Sequence, residues 1–144
     1  MLLSTMIIRM LVASVLSGFI GIEREAHDKA AGFRTHILVC VGSALFMITS
    51  ILISQEYGYL GEVDPSRIAA GVVTGVGFLG AGAVMRSGPS VHGLTTAASI
   101  WAVAAIGLAA GSGLYGAATV TTVIVLIVLF LSRAKKKFDL WRRK

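Results

Sequence analysis

A chain of 144 residues has room for one domain, and with 56% hydrophobic and only 14% charged residues it is too apolar for an ordinary water-soluble fold. The formal charge of +6 does not mark a nucleic-acid reader, because seven of the thirteen basic residues crowd into Arg133–Lys144 beside the last apolar run, as in a cytoplasmic flank against anionic lipid. The single cysteine, Cys40, sits in an apolar run and excludes an intrachain disulfide.

The first apolar run, about Leu2 to Ile22, is too long for a signal-peptide core and reads as a first membrane helix. Ser14, Gly18 and Gly21 make a small face for packing on its neighbours. Arg9 lies roughly opposite, either snorkelling to the interface or meeting an intramembrane partner. A polar segment, Glu23 to Arg34, leads to the second run, Thr35 to about Ser54. Along it His36, Cys40, Ser43, Met47, Ser50 and Ser54 recur at spacings of four and three, a polar stripe on one side. Such hydroxyls bond across helices or back to their own carbonyls, with a hydrophilic passage as the alternative.

The acidic segment Gln55 to Asp64 follows, with Glu56 and Glu62. Asp64-Pro65-Ser66-Arg67 is a helix start, Asp64 capping free N–H groups and Pro65 standing where no donor is missed. The third run, Arg67 to Met85, holds five glycines and reads as the central helix of the bundle. Gly71, Gly75 and Gly82 share one stripe, with Gly77 and Gly80 towards the other side, so it should be packed against from two sides. Gly75, Gly77 and Gly80 also spell GxGxxG. No carboxylate follows before Asp139, and the strand-then-helix setting of a dinucleotide site is missing.

Arg86 to His92 is a link with turn chemistry at Ser87-Gly88-Pro89. The fourth run, Gly93 to Ala110, carries Thr95, Ala98, Ala102, Ala105 and Ala109 on one face, a seam expected to meet Gly75 and Gly82 of the central helix. Gly111-Ser112-Gly113 is a turn, and Tyr115 to Leu131 is a fifth, bulky run. Phe138 and Trp141 in the tail suit the headgroup layer. The fold expected is an all-α integral membrane bundle of five spans. Residues 1–132 form the transmembrane domain and 133–144 a basic juxtamembrane tail. With five spans the segments holding Arg24, Lys29 and Arg34, then Arg86, then the tail fall on one side, which puts the amino terminus outside and the tail in the cytosol.

That side gathers the polar residues. Glu23, Glu25 and Asp28 offer carboxylate oxygens to Mg²⁺ or another hard cation, although three acids in six residues also describe a solvated loop. His27, His36 and His92 have no zinc spacing. No nucleophile elbow or triad can be placed, so no enzyme and no resident cofactor are expected.

Three stretches, GIEREAHDKAAGFRTH (Gly21 to His36), DPSRIAAGVVTGVGFLGAGAVMR (Asp64 to Arg86) and VHGLTTAASIWAVAAIGLAAG (Val91 to Gly111), resemble the MgtC/SapB family of bacterial inner-membrane proteins. The resemblance implies a five-helix, multi-pass domain in the bacterial cytoplasmic membrane, here without the soluble carboxy-terminal domain of longer members. It implies a part in growth under Mg²⁺ limitation and, in intracellular pathogens, in survival inside host cells. It further implies action as a regulator of another membrane protein such as the F-type ATP synthase, the alternative being a transporter or channel for Mg²⁺ or another cation. Positions carried over with the motifs are Glu23, Arg24, Glu25, Gly32, Arg34, Thr35, His36, Asp64, Pro65, Arg67, the Gly75 to Gly82 run, Arg86, Gly93, Leu94, Thr95, Thr96 and Trp101. The partners expected are the lipid bilayer and another membrane protein, with a second copy of the chain left open and nucleic acid excluded.

Overall fold

The structure is a computed structural model that describes residues 1–60, 63–87 and 89–141. Glu62, the turn residue Gly88 and the end of the basic tail lie outside the described residues, as do the side chains of residues 132–141, Phe138 and Trp141 among them. Five α-helices account for nearly all of the described residues: α1 (Leu3–Glu25), α2 (Phe33–Tyr57), α3 (Ser66–Gly82), α4 (Leu94–Ser112) and α5 (Tyr115–Trp141). α1, α2 and α4 are long and apolar enough to cross a membrane, while α3 and the apolar part of α5, Tyr115–Leu131, are shorter. The backbone of α5 continues without a break past residue 132 into the basic stretch.

The link between α3 and α4 is more than a turn. Met85–Ser87 (β1) pairs antiparallel with Ser90–His92 (β2), Arg86 facing Val91. Gly93 then starts α4 at φ 89°, and a Cβ there would stand 1.9 Å from the Ala83 carbonyl oxygen. No other residue type fits that position.

Helix α4, rather than α3, is the centre of the bundle. It packs against all four other helices and buries Val103, Ala104, Ile106 and Ala110. Its closest approach is to α2, which runs parallel to it. A Cβ at Gly107 would stand 2.2 Å from the Cys40 carbonyl oxygen, and one at Gly111 2.5 Å from that of Ala44. These two glycines, four apart, let the backbones touch. α1 lies antiparallel across the pair, with Gly21 against Phe33 and His36.

The expectation for α3 is corrected accordingly. Gly71, Gly75, Gly77 and Gly82 have nothing within 4 Å of where a Cβ would stand, and only Gly80 meets α4, 3.6 Å from the Ala97 Cβ. The alanine seam also points elsewhere: Thr95, Ala98 and Ala105 are exposed, and the buried face of α4 is Thr96, Ser99, Ile100, Val103 and Gly107. Periodicity found the stripes, but in a membrane both lipid and protein accept small apolar residues, so it could not say which stripe faces which.

A buried polar cluster as candidate functional site

The α2 stripe faces inward. His36, Cys40, Ser43 and Ser50 are all buried, and the serines are spent on carbonyls. Ser43 donates back to Val39 at 2.8 Å, Ser50 donates to Pro65, and Ser54 donates to Val63 at 3.1 Å. The last two bonds tether the entry of α3 to the far end of α2. There Asp64 does what its sequence context predicts: one carboxylate oxygen accepts the Ser66 N–H at 2.8 Å and the other the Ser66 hydroxyl at 2.7 Å. These bonds from the Ser66 hydroxyl and backbone, opposed by a smaller desolvation and aided by nearby Arg67, hold the Asp64 carboxyl below its ordinary value.

At the opposite end of the bundle the polar groups close on one another. Two short connections, residues 26–32 and 83–93, bring the end of α1 and the start of α2 to the end of α3 and the start of α4. Arg24 and Glu23, 3% and 6% exposed, pair in a fork: the Arg24 Nε donates to one Glu23 oxygen and Nη2 donates to the other at 2.8 Å. His36, fully buried, has Nδ1 2.8 Å from the Gly32 carbonyl oxygen and Nε2 3.0 Å from the Ser99 Oγ. A carbonyl only accepts, so Nδ1 carries the proton there. Ser99 Oγ also lies 2.8 Å from the Thr96 carbonyl. Its single proton is therefore placed between two acceptors while His36 is neutral, and goes to Thr96 if Nε2 is itself protonated. This histidine couples the starts of α2 and α4, and Ser99 was missed in the sequence because a lone serine on an apolar helix gives no signal. The Ser–His pair is closed over by the helices, with Ser99 only 3% exposed.

The three acids read as cation ligands do not come together. Glu25 accepts the Phe33 N–H at 2.7 Å and so begins α2. Asp28 takes a left-handed φ of 50° and ends α1, with the Lys29 N–H reaching back to the Arg24 carbonyl. Glu23 faces Arg24. Among the described residues no group of three His, Cys, Asp or Glu is placed to hold a metal ion. Of the other motif positions, Thr96 is buried in the cluster, whereas Arg34, Thr35, Arg67, Arg86 and Thr95 are exposed.

Arg9 meets a partner inside the bundle: Nη1 donates to the Gly111 carbonyl at 2.6 Å, at the end of α4. A cation there suits the negative end of the helix dipole. Beside α3 the bundle is open instead, with an apolar groove of about 700 Å³ between α2 and α3, walled by Gly42 on one side and Gly71 and Gly75 on the other.

A helical bundle with three apolar helices long enough to cross a membrane, a buried Arg–Glu pair at the end of α1 and a buried His–Ser bond joining α2 to α4 has the make-up of an integral membrane protein. The chain belongs to the MgtC family, whose sequence profile matches residues 10–138. It is 48% identical over 130 residues to the "Putative magnesium transporter YhiD" of Escherichia coli K12, covering 85% of this chain and 58% of that one. It is 45% identical over 121 residues to MgtC of Brucella abortus, covering 84% and 48%. With MgtC of Salmonella typhimurium the identity is 41% over 133 residues, covering 92% and 54%. The chain thus spans about half the length of the curated relatives it matches. No solved structure matches it.

Proposed function

We propose that the chain is a non-enzymatic protein of the bacterial inner membrane that serves adaptation to low Mg²⁺ by contacting and modulating another membrane protein, the F-type ATP synthase being the first candidate. In this reading all five helices span, with the amino terminus outside and the basic tail in the cytosol. The link to Mg²⁺ comes from family membership and from the name of the Escherichia coli relative. The contact is supported by one observation, the bare side of α3. Ala70, Thr74, Gly77 and Ala81 form an exposed small-residue face, and Gly77 has nothing near its missing side chain. That glycine costs up to about 1 kcal/mol of helix propensity relative to alanine, and no neighbour among the described residues fills the space it leaves. A helix of a partner protein would make use of it.

ATP-driven proton pumping in inverted membrane vesicles tests the reading. Adding the protein is expected to lower pumping, and Gly77→Leu is expected to restore it while leaving protein abundance unchanged. The second reading, Mg²⁺ transport, is favoured by the relative's name. Mg²⁺ flux into sealed liposomes above the empty-vesicle background, together with unaltered proton pumping, would replace the first reading by the second.

A further inference from the structure

The groove between α2 and α3 has a shape and a charge that the contact just described does not use. Its walls are apolar but for one side chain, from Leu38 and Phe46 on α2 to Ile68 and Leu79 on α3. Its one polar lining group, the Ser43 hydroxyl, is already bonded to the Val39 carbonyl. The groove therefore asks for methylenes and offers nothing to a polar ligand. Its depth comes from Gly42, Gly71 and Gly75, which leave open space where side chains would stand.

One end of this groove carries a cation. Arg34 precedes Leu38 by four residues and Gly42 by eight, so it lies below them on the same face of α2, in the first turn of the helix. It is exposed and has no hydrogen bond or ion pair among the described residues. The nearby Glu25 carboxylate is engaged by the Phe33 N–H. At the other end Arg67 has Asp64 beside it. An exposed arginine without an ion pair among the described residues, in the headgroup layer at the foot of an apolar groove between helices, is a setting in which anionic lipid headgroups bind.

We propose that this groove is a binding site for an anionic phospholipid, one acyl chain lying along Gly42, Gly71 and Gly75 and the phosphate held by Arg34. The magnitude favours a lipid chain over a helix from a second copy. A helix about 10 Å across and as long as α3 displaces roughly 2,000 Å³, about three times the volume of the groove. The proposal rests only on the chain lying in a membrane, and on neither reading of what it does there.

Native mass spectrometry of the detergent-purified protein, titrated with phosphatidylglycerol and with phosphatidylcholine of the same acyl chains, tests it. Phosphatidylglycerol is expected to bind about fivefold more tightly, the worth of one arginine near anionic lipid. Arg34→Gln should bring it down to the phosphatidylcholine level. Gly75→Leu, or Gly42→Leu on the facing wall, should weaken both lipids, and neither added side chain meets an obstacle within 4 Å at its Cβ. Gly77→Leu, on the other side of α3, should change neither. Equal affinity for the two lipids, or lipid binding untouched by the groove variants, overturns the proposal. So does a dimer that Gly75→Leu dissolves, which would assign the groove to a second copy.

Discussion

Glu23 and Arg24 are sequence neighbours that both leave the surface, and their value lies in being removed together. Taking a charge out of water costs several kcal/mol, offset here by a forked pair of hydrogen bonds. Glu23→Ala is therefore expected to destabilise the protein by about 3–5 kcal/mol by stranding Arg24, whereas Glu23→Leu with Arg24→Met should recover most of that loss. Unfolding midpoints in detergent decide it; equal losses in the single and double variants would mean that the pair is not coupled. The same residues show why the acids were hard to read. Glu23, Glu25 and Asp28 within six residues look like a cation site on paper, but one faces an arginine, one begins a helix and one ends another. Which neighbour a carboxylate meets is a tertiary fact. Asp64, by contrast, was legible because capping is local. Its folded pKa is depressed, so its bonds to Ser66 stabilise the protein above the unfolded value of 3.8 and are lost as pH falls through the lower folded value. Stability should therefore fall with pH below about 4 in the natural protein. Asp64→Asn should remove that part of the dependence, as melting at stepped pH would show.

The five helices were readable as elements, with their order and most of their lengths, because long apolar runs between polar segments leave little choice of backbone structure in lipid. Their roles were not. Glycine abundance pointed to α3 as the centre, yet α4 is central with only Gly107 and Gly111 on its inner face. What separates the two helices is what stands opposite each glycine, and that is absent from a single sequence. The structure turns this into a contrast between variants. Gly107→Ala and Gly111→Ala push a methyl into the α2 backbone and should cost at least the upper end of the about 1–3 kcal/mol typical of overpacking. Gly71→Ala and Gly75→Ala meet nothing and should be neutral or stabilising, by up to about 1 kcal/mol from helix propensity. A loss of stability at Gly75 equal to that at Gly107 would show that α3 packs more tightly than the structure has it.

For the whole molecule, the decisive quantity is which ends of the helices share a membrane face. The His36–Ser99 bond sets the starts of α2 and α4 side by side, and the Ser50–Pro65 bond sets the end of α2 beside the start of α3. The Arg9–Gly111 bond does the same for the start of α1 and the end of α4. Chained together, these contacts put Arg24, Lys29, Arg34 and Arg86 at one end and Glu56 and Asp64 at the other, the division that the charge count used to order five spans. The short α3 tests that order. Its 17 residues rise only about 26 Å, less than a typical hydrocarbon core, but its entry is tied to α2 and its exit runs into the hairpin before α4. If it crosses, a reporter inserted near Gly58 lies outside the cell and one joined after Lys144 lies in the cytosol. Should α3 instead lie along one face, the ends of α2 and α4 would have to part, breaking either the serine tethers or the His36–Ser99 bond. Reporters at both positions, read in the natural protein and in Ser50→Ala with Ser54→Ala, separate these cases. Both proteins are expected to give outward and cytosolic signals respectively, with the double variant less stable but not inverted. A cytosolic signal near Gly58 in the natural protein would overturn the five-span order.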